Sequence, residues 1–369
     1  MFTDRRHADA VRADGAEFRD LFESGLLEEI EDDSYPPPSN YVTWTARHAD
    51  AVIDAVRRVG ADVVIADSFA VIARVVAEAL GLPYVSVRAG HNVLPETMLS
   101  ELEDNPRVRI SDQCRLAARR LRDEYGLSDA SPFAFLSPPS RDLNIYCEPR
   151  QFLTEAERAA FEPVAFFGCL SPPAAQVPSF ESPFPETARL RVYLSFGSYH
   201  GRFFPEVVAS AMRSVAGAIA VSPGSAGLFS FGGITPDPSL IADLSRQGVQ
   251  LARTVNQWQV LTTADAFVTH HGMNSTHEAV FREVPMLSYP LLWDQPGLAR
   301  RCQELDLAIG LVDEPQGSLD VESVRTGLER VRSERERLAA GLAAAHGWEE
   351  EVIAGRAGVI DRVAELARA

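Results

Sequence analysis

Two adjacent histidines, a glycine and a short polar run stand between an apolar segment and a helix-forming stretch. In order they are Ala266-Phe-Val-Thr269, His270-His271-Gly272, Asn274-Ser275-Thr276 and Glu278-Ala-Val-Phe281. A short apolar run of the first kind suits a strand buried in a parallel sheet. A strand that enters a helix through a small-residue turn leaves backbone N–H groups unpaired at the sheet's carboxyl edge. The helix dipole adds positive potential there, which is chemistry for holding an anion. Glu283-Val-Pro-Met-Leu-Ser288 predicts the next strand, and Asp294-Gln295 opens the helix after it. A carboxylate and an amide therefore come one crossover away on the same edge, where they can accept from hydroxyl groups. An anion site beside hydroxyl acceptors suits a ligand that joins a diphosphate to a sugar.

Other readings of the same residues exist. Ser275 and Glu278 have the spacing of a capping box, in which both side chains only satisfy helix N–H groups. The neighbours His270, Asn274, Asp294 and Gln295 favour a ligand instead. His270, His271 and His277 offer imidazoles, but His277-Glu278 lacks the second histidine of a zincin motif and no cysteine lies nearby. No metal is expected, and His271 and His277 are expected to be packing or solvent-facing. The glycines at 224, 227, 232 and 233 form neither G-x-G-x-x-G nor a Walker A loop.

The run Thr269-His-His-Gly-Met-Asn-Ser-Thr-His-Glu278, followed by Val284-Pro-Met286 and Asp294-Gln295, resembles the donor signature of the UDP-glycosyltransferase family. That family includes plant natural-product and bacterial macrolide glycosyltransferases of the GT-B fold. Val192-Tyr-Leu-Ser-Phe-Gly-Ser198 is similar to the family's first donor-domain strand, and weaker similarity covers Ala61 to Val87 and most of the remaining chain. The resemblance implies an inverting single displacement. A sugar would pass from a UDP or dTDP donor to a hydroxyl of a hydrophobic small molecule, with no cofactor beyond the nucleotide sugar. It assigns His270 to the diphosphate, helped by the Gly272, Asn274 and Ser275 region, with Ser198 near the phosphates. Glu278 would take the ribose hydroxyls, Asp294 and Gln295 the sugar hydroxyls, and Gln257 the region of the base.

Two departures from the family pattern matter, the base-stacking tryptophan and the missing first strand and loop. The tryptophan that stacks on uracil aligns with Thr254, with Trp258 shifted, so UDP and dTDP both stay open. No Asp-x-Asp motif is present, which leaves the departing diphosphate to the helix N-terminus and His270. Asp67, in Ala66-Asp-Ser-Phe69, matches the aspartate that orients a catalytic histidine, although Asp is also a leading helix cap. The strand and loop that carry that histidine have no counterpart. The expectation is an internal start or a fragment, with the base upstream of Met1 and His91 as the stand-in within the chain. A non-catalytic nucleotide-sugar-binding or auxiliary GT-B protein lacking the base is the alternative; a GT-B epimerase is disfavoured by the Asn-Ser-Thr-His-Glu run.

The chain has 369 residues, 46% hydrophobic and 24% charged, enough for two cores. A net charge of −17 argues against nucleic acid and anionic membrane surfaces. Cys114, Cys147, Cys169 and Cys302 form no C-x-x-C and are expected to be buried free thiols of a cytoplasmic protein. No signal peptide or membrane-spanning run is evident, and a monomer or homodimer is expected. The fold expected is α/β, GT-B, with two Rossmann-like doubly wound parallel-sheet domains around a cleft. Residues 1–170 would bind acceptor, 171–188 form a linker, 189–350 bind donor, and 351–369 form a helix crossing back to the first domain.

Patterning places first-domain strands at Asp62 to Ala66, Tyr84 to Val87, Asn144 to Cys147 and Val164 to Phe167. Second-domain strands fall at Val192 to Phe196, Ala218 to Val221, Val249 to Ala252, Ala266 to Thr269, Met286 to Ser288 and Ala308 to Leu311. Helices are predicted from Trp44 to Val59 and Ala70 to Leu80, and over 320–346 and 348–368. The acidic and Pro-rich residues 20–40 read as a mobile loop near the acceptor cleft or a plain solvated loop.

Overall fold

Short apolar runs, each followed by an amphipathic helix, dictate parallel pairing, because a parallel neighbour is reached only through a crossover. The computed structural model describes residues 1–20, 32–103, 105–169, 182–198 and 200–368. Its strands are β1 (Phe2–Thr3), β2 (Arg19–Asp20), β3 (Val64–Asp67), β4 (Tyr84–Arg88), β5 (Leu143–Tyr146), β6 (Val164–Phe166), β7 (Leu190–Ser195), β8 (Ser225–Ser230), β9 (Gln250–Ala252), β10 (Ala266–Thr269), β11 (Met286–Ser288) and β12 (Ala308–Gly310). Two open sheets result, one ordered β3-β4-β5-β6 and the other β12-β11-β10-β7-β8-β9, and every pairing in them is parallel. Among the described residues β1 and β2 pair only with each other.

β10 and β7 sit in the middle of the larger sheet, and every residue of β10 is buried. This explains why Ala266–Thr269 carries no polar alternation. The helix Pro205–Ala220 covers one face through Ala211, Val215, Ala218 and Ile219. That spacing has a helical period, so the Ala218 to Val221 run is the end of this helix, and the strand expected there is β8, further on. The C-terminal stretch breaks at Glu334 and Gly355, giving helices Val321–Ser333, Arg335–Ala354 and Arg356–Leu366. The last of these leaves the larger sheet and lies on the smaller one. Its Val359, Val363 and Leu366 pack on Val85, Leu143 and Ile145, while Arg356 Nε donates to the Phe167 carbonyl at 2.8 Å.

The long helix begins earlier than its pattern predicts, at Asn40, and runs to Val59. Most of the acidic loop before it, and most of the Pro-rich linker, lie outside the described residues. Asp32 is within them and buried, accepting from the Ser34 hydroxyl at 2.6 Å and from Thr43. All four cysteines are buried free thiols. Among the described residues no helix is long and apolar enough to cross a membrane.

Candidate donor site

The ends of β7, β10 and β11 are level: Thr269 pairs with Ser195 on one side and Ser288 on the other. Three loops therefore open on one edge, carrying Phe196 to Ser198, His270 to Gly272 and Tyr289 to Asp294. His270 is 5% exposed. A Cβ on Gly197 would lie 3.0 Å from its Cε1 and Nε2, and one on Gly272 only 2.5 Å from its Nε2. The Cε1–Nε2 edge of the ring thus faces two bare glycine backbones, which any side chain would obstruct. Burial, with His200 and His271 close by, holds this imidazole well below its ordinary range. His270 is therefore neutral, and it offers an anion a hydrogen bond rather than a charge.

The helix after it, Met273–Phe281, starts from Gly272 with no side chain capping its first turn. Its N–H groups are open at the strand end, as an anion site requires. Ser275 and Glu278 do not form a capping box. Instead the Gln257 amide donates to Ser275 Oγ at 3.0 Å and to Glu278 Oε2 at 2.9 Å, while the Tyr193 hydroxyl donates to Gln257 Oε1 at 3.2 Å. Burial raises the Glu278 carboxyl against the Gln257 bond. The structure brings Gln257, Ser275, Glu278 and His270 onto one strand edge and leaves Asn274 and Ser198 exposed beside them. Trp258 is buried under the Arg282 guanidinium, 4.3 Å above its ring, and against Phe281. It is core, with no face free to stack on a base.

Asp294 is half-buried before the helix Gln295–Glu304, and desolvation pushes its carboxyl up to about 6. Its Oδ2 accepts the backbone N–H of His91, from the other sheet's loops, at 3.1 Å. The Gln295 amide points inward. Its oxygen accepts from the N–H groups of Leu291 and Leu292, and its nitrogen lies 2.8 Å from His200 Nε2. His200 Nδ1 donates to the Phe196 carbonyl at 2.8 Å, so its Nε2 is the acceptor for Gln295. Gln295 is thus committed to bracing two loops of the site.

Asp67 lies exposed at the end of β3, an edge strand. One oxygen accepts from Phe69 N–H at 2.8 Å, and desolvation of its inner side raises the carboxyl. No imidazole among the described residues bonds to it. His91 is 4% exposed, and its Nδ1 donates to Glu148 Oε2 at 2.9 Å. Burial lowers that imidazole, but Glu148, with Asp294 and Glu157 beyond it, raises it on balance, which suits a cation more than a proton acceptor. His271 and His277 are both fully buried, the packing alternative rather than the solvent-facing one. His271, pushed down to about 3 by burial, bonds Ser288 and Thr276. His277 bridges two carboxylates, Glu148 at 3.1 Å and Glu349.

Residues 186–333 match the family model described as UDP-glucoronosyl and UDP-glucosyl transferase. That segment is similar to the UDP-glycosyltransferase family, and the chain spans less than half the length of the first curated relatives it matches. One relative, the NDP-glycosyltransferase YjiC of Bacillus subtilis (strain 168), is 35% identical over 106 residues, which is 29% of this chain and 26% of that protein's length. The fold is GT-B. The glycotransferase of kitacinnamycin superposes with a TM-score of 0.72 at 20% identity, covering 98% of this chain and 90% of that one. The spinosyn rhamnosyltransferase SpnG complexed with thymidine diphosphate does so with a TM-score of 0.60 at 17% identity, covering 96% and 95%.

Within this GT-B fold, sequence reasoning missed Tyr193, His200, Glu148 and Glu349. Tyr193 sits in the quoted Val192 to Ser198 run, and its parity with Ser195 places its hydroxyl on a face that the apolar pattern alone does not mark. Glu148 and Glu349 carry no local signal, since their partners come from distant segments, and His200 meets Gln295 from 95 residues away.

Proposed function

We propose that this chain binds a nucleotide-diphosphate sugar, UDP- or dTDP-linked, and transfers the sugar with inversion to a hydroxyl of a hydrophobic small molecule. The observation that carries the reading is the edge formed by neutral His270, two bare glycine backbones and the uncapped helix Met273–Phe281. It adjoins the Gln257–Ser275–Glu278 cluster. The diphosphate would lie against helix N–H groups and the His270 ring, where these dipoles stabilise the departing charge without rearranging. Glu278 would accept from the ribose and Asp294 from the sugar. Gln295 holds the loops around them. The match of residues 186–333 to the UDP-glycosyltransferase model, and the fold shared with natural-product glycosyltransferases, support the acceptor class.

A second reading, a nucleotide-sugar-binding protein without transfer, is favoured by one observation. Asp67 has no imidazole partner among the described residues, and His91 is tied to Glu148. A turnover assay separates the two. With UDP- and dTDP-hexoses and a panel of hydrophobic phenols and macrolide aglycones, the enzyme reading expects a glycoside from at least one pair. Donor binding with no glycoside from any pair supports the binding reading instead.

A further inference from the structure

Four buried side chains from distant parts of the chain form a continuous line between the sheets. His91 follows β4, Glu148 follows β5, His277 lies in the helix Met273–Phe281, and Glu349 lies in the helix Arg335–Ala354. His91 Nδ1 donates to Glu148 Oε2 at 2.9 Å, Glu148 Oε1 accepts from His277 Nε2 at 3.1 Å, and His277 Nδ1 donates to Glu349 Oε1. The second Glu349 oxygen accepts the Cys169 N–H at 3.3 Å. With a carboxylate on each ring nitrogen, His277 is an imidazolium.

The line ends on the candidate donor site. His91, whose ring Glu148 grips, gives its backbone N–H to Asp294 Oδ2. Both sides of that contact are in left-handed backbone, which asparagine adopts readily but which is costly for a tryptophan and persists there only where surroundings impose it. Asn92 has φ 47°, fixed by its N–H to the Tyr146 hydroxyl at 2.7 Å and its amide to Glu157 at 2.9 Å. Trp293 has φ 59°, and its ring stacks on Phe69 and Phe135 of the other sheet's lobe. The fit is close: a Cβ on Gly90 would lie 3.4 Å from Asp294 Oδ2, and one on Gly297 3.3 Å from His91 Cδ2. Buried ion pairs often serve packing alone. Here the same residue that anchors the ion pair also orients the carboxylate assigned to the sugar.

We propose that Glu148, His277 and Glu349 act as a positioning relay that sets the His91 turn against Asp294, so that recognition of the donor's sugar depends on a contact made between the lobes. This rests on the reading that Asp294 meets the sugar. The relay explains why four ionisable groups are kept in an apolar interior when an aliphatic set would cost less desolvation. Other groups facing it are Tyr146, Cys147 and Cys302 toward Glu148, Cys169 toward His277, and Asp294, Glu157 and His271 toward His91.

The test is calorimetric titration of the full chain with UDP, UDP-glucose, dTDP and dTDP-glucose, for wild type, Glu148→Gln and Glu349→Gln. The quantity read is the affinity of each sugar nucleotide relative to its bare diphosphate. The relay expects Glu148→Gln to lower that ratio about tenfold, with the bare diphosphate within about twofold of wild type. Glu349→Gln moves it less, in the same direction. In wild type the ratio is highest above about 6, where Asp294 ionises, and declines as pH passes the raised His91 value. An unchanged ratio in a folded variant, or an equal loss of both ligands, overturns the relay; if Glu148→Gln does not fold, Glu349→Gln decides by the same ratio. Failure of wild type to bind either bare diphosphate sinks the donor-site reading itself, and the relay with it.

Discussion

Glu148→Ala lowers the unfolding free energy by about 3–5 kcal/mol, because it leaves two buried imidazoles without the carboxylate they share. Glu148, His277 and Glu349 are all 0% exposed and His91 is 4% exposed, so water cannot replace the lost partner. The pH dependence has a definite sign. Glu148 is lowered from 4.5 to about 2, chiefly by His91 and His277 working against its burial. Its contribution is present above the unfolded value and is lost as pH falls through 2. His91 and His277 are raised from 6.5. Their contribution is full below 6.5 and is lost as pH climbs through the raised values. The gap between wild type and variant is therefore widest between about pH 4.5 and 6.5 and narrows on both sides. Urea melts at pH 3, 5.5 and 9 measure it. A gap under about 1 kcal/mol at pH 5.5 would mean that the interior relaxes around the loss and the ion pairs contribute little.

Glu278→Ala weakens nucleoside-diphosphate binding about 10–100-fold, the value of a charge-assisted hydrogen bond of about 1.5–3 kcal/mol. Glu278 is the one carboxylate of the Gln257–Ser275 cluster, and its assigned partner is the ribose. Two further results follow from that role. The preference of wild type for UDP over 2′-deoxy-UDP shrinks in the variant, and Glu278→Gln, which keeps an acceptor oxygen, loses less than alanine. Equal weakening toward ribose and deoxyribose forms would instead place Glu278 in a purely structural role, holding Gln257.

The sheet edge was legible in the sequence, whereas the interior wiring behind it was not. β10 and β11 fall where the apolar runs place them because both are short, fully buried and bounded by turn residues. β8 was misplaced because the helix Pro205–Ala220 ends in small and β-branched residues that mimic a strand over four positions. The Ser275–Glu278 spacing carried two meanings, and only Gln257, 18 and 21 residues away, decides between them. His277 has partners 129 and 72 residues distant, so no window of sequence reveals its charge. The amide of Gln295 turns inward for a similar reason: the N–H groups it satisfies belong to a loop whose shape depends on tertiary packing.

Titrating wild type and Gly272→Ala with UDP and dTDP tests the donor site most directly. Gly272 has φ −62°, which any residue adopts, so alanine adds no backbone strain. Its Cβ would nevertheless lie 2.5 Å from His270 Nε2 and must displace that ring from the anion gap. The account predicts saturable binding of at least one diphosphate by wild type. It also predicts a loss of about tenfold or more in Gly272→Ala, with no dependence on pH between 6 and 8 from the neutral His270. Binding of both nucleotides by Gly272→Ala as tightly as by wild type would contradict it.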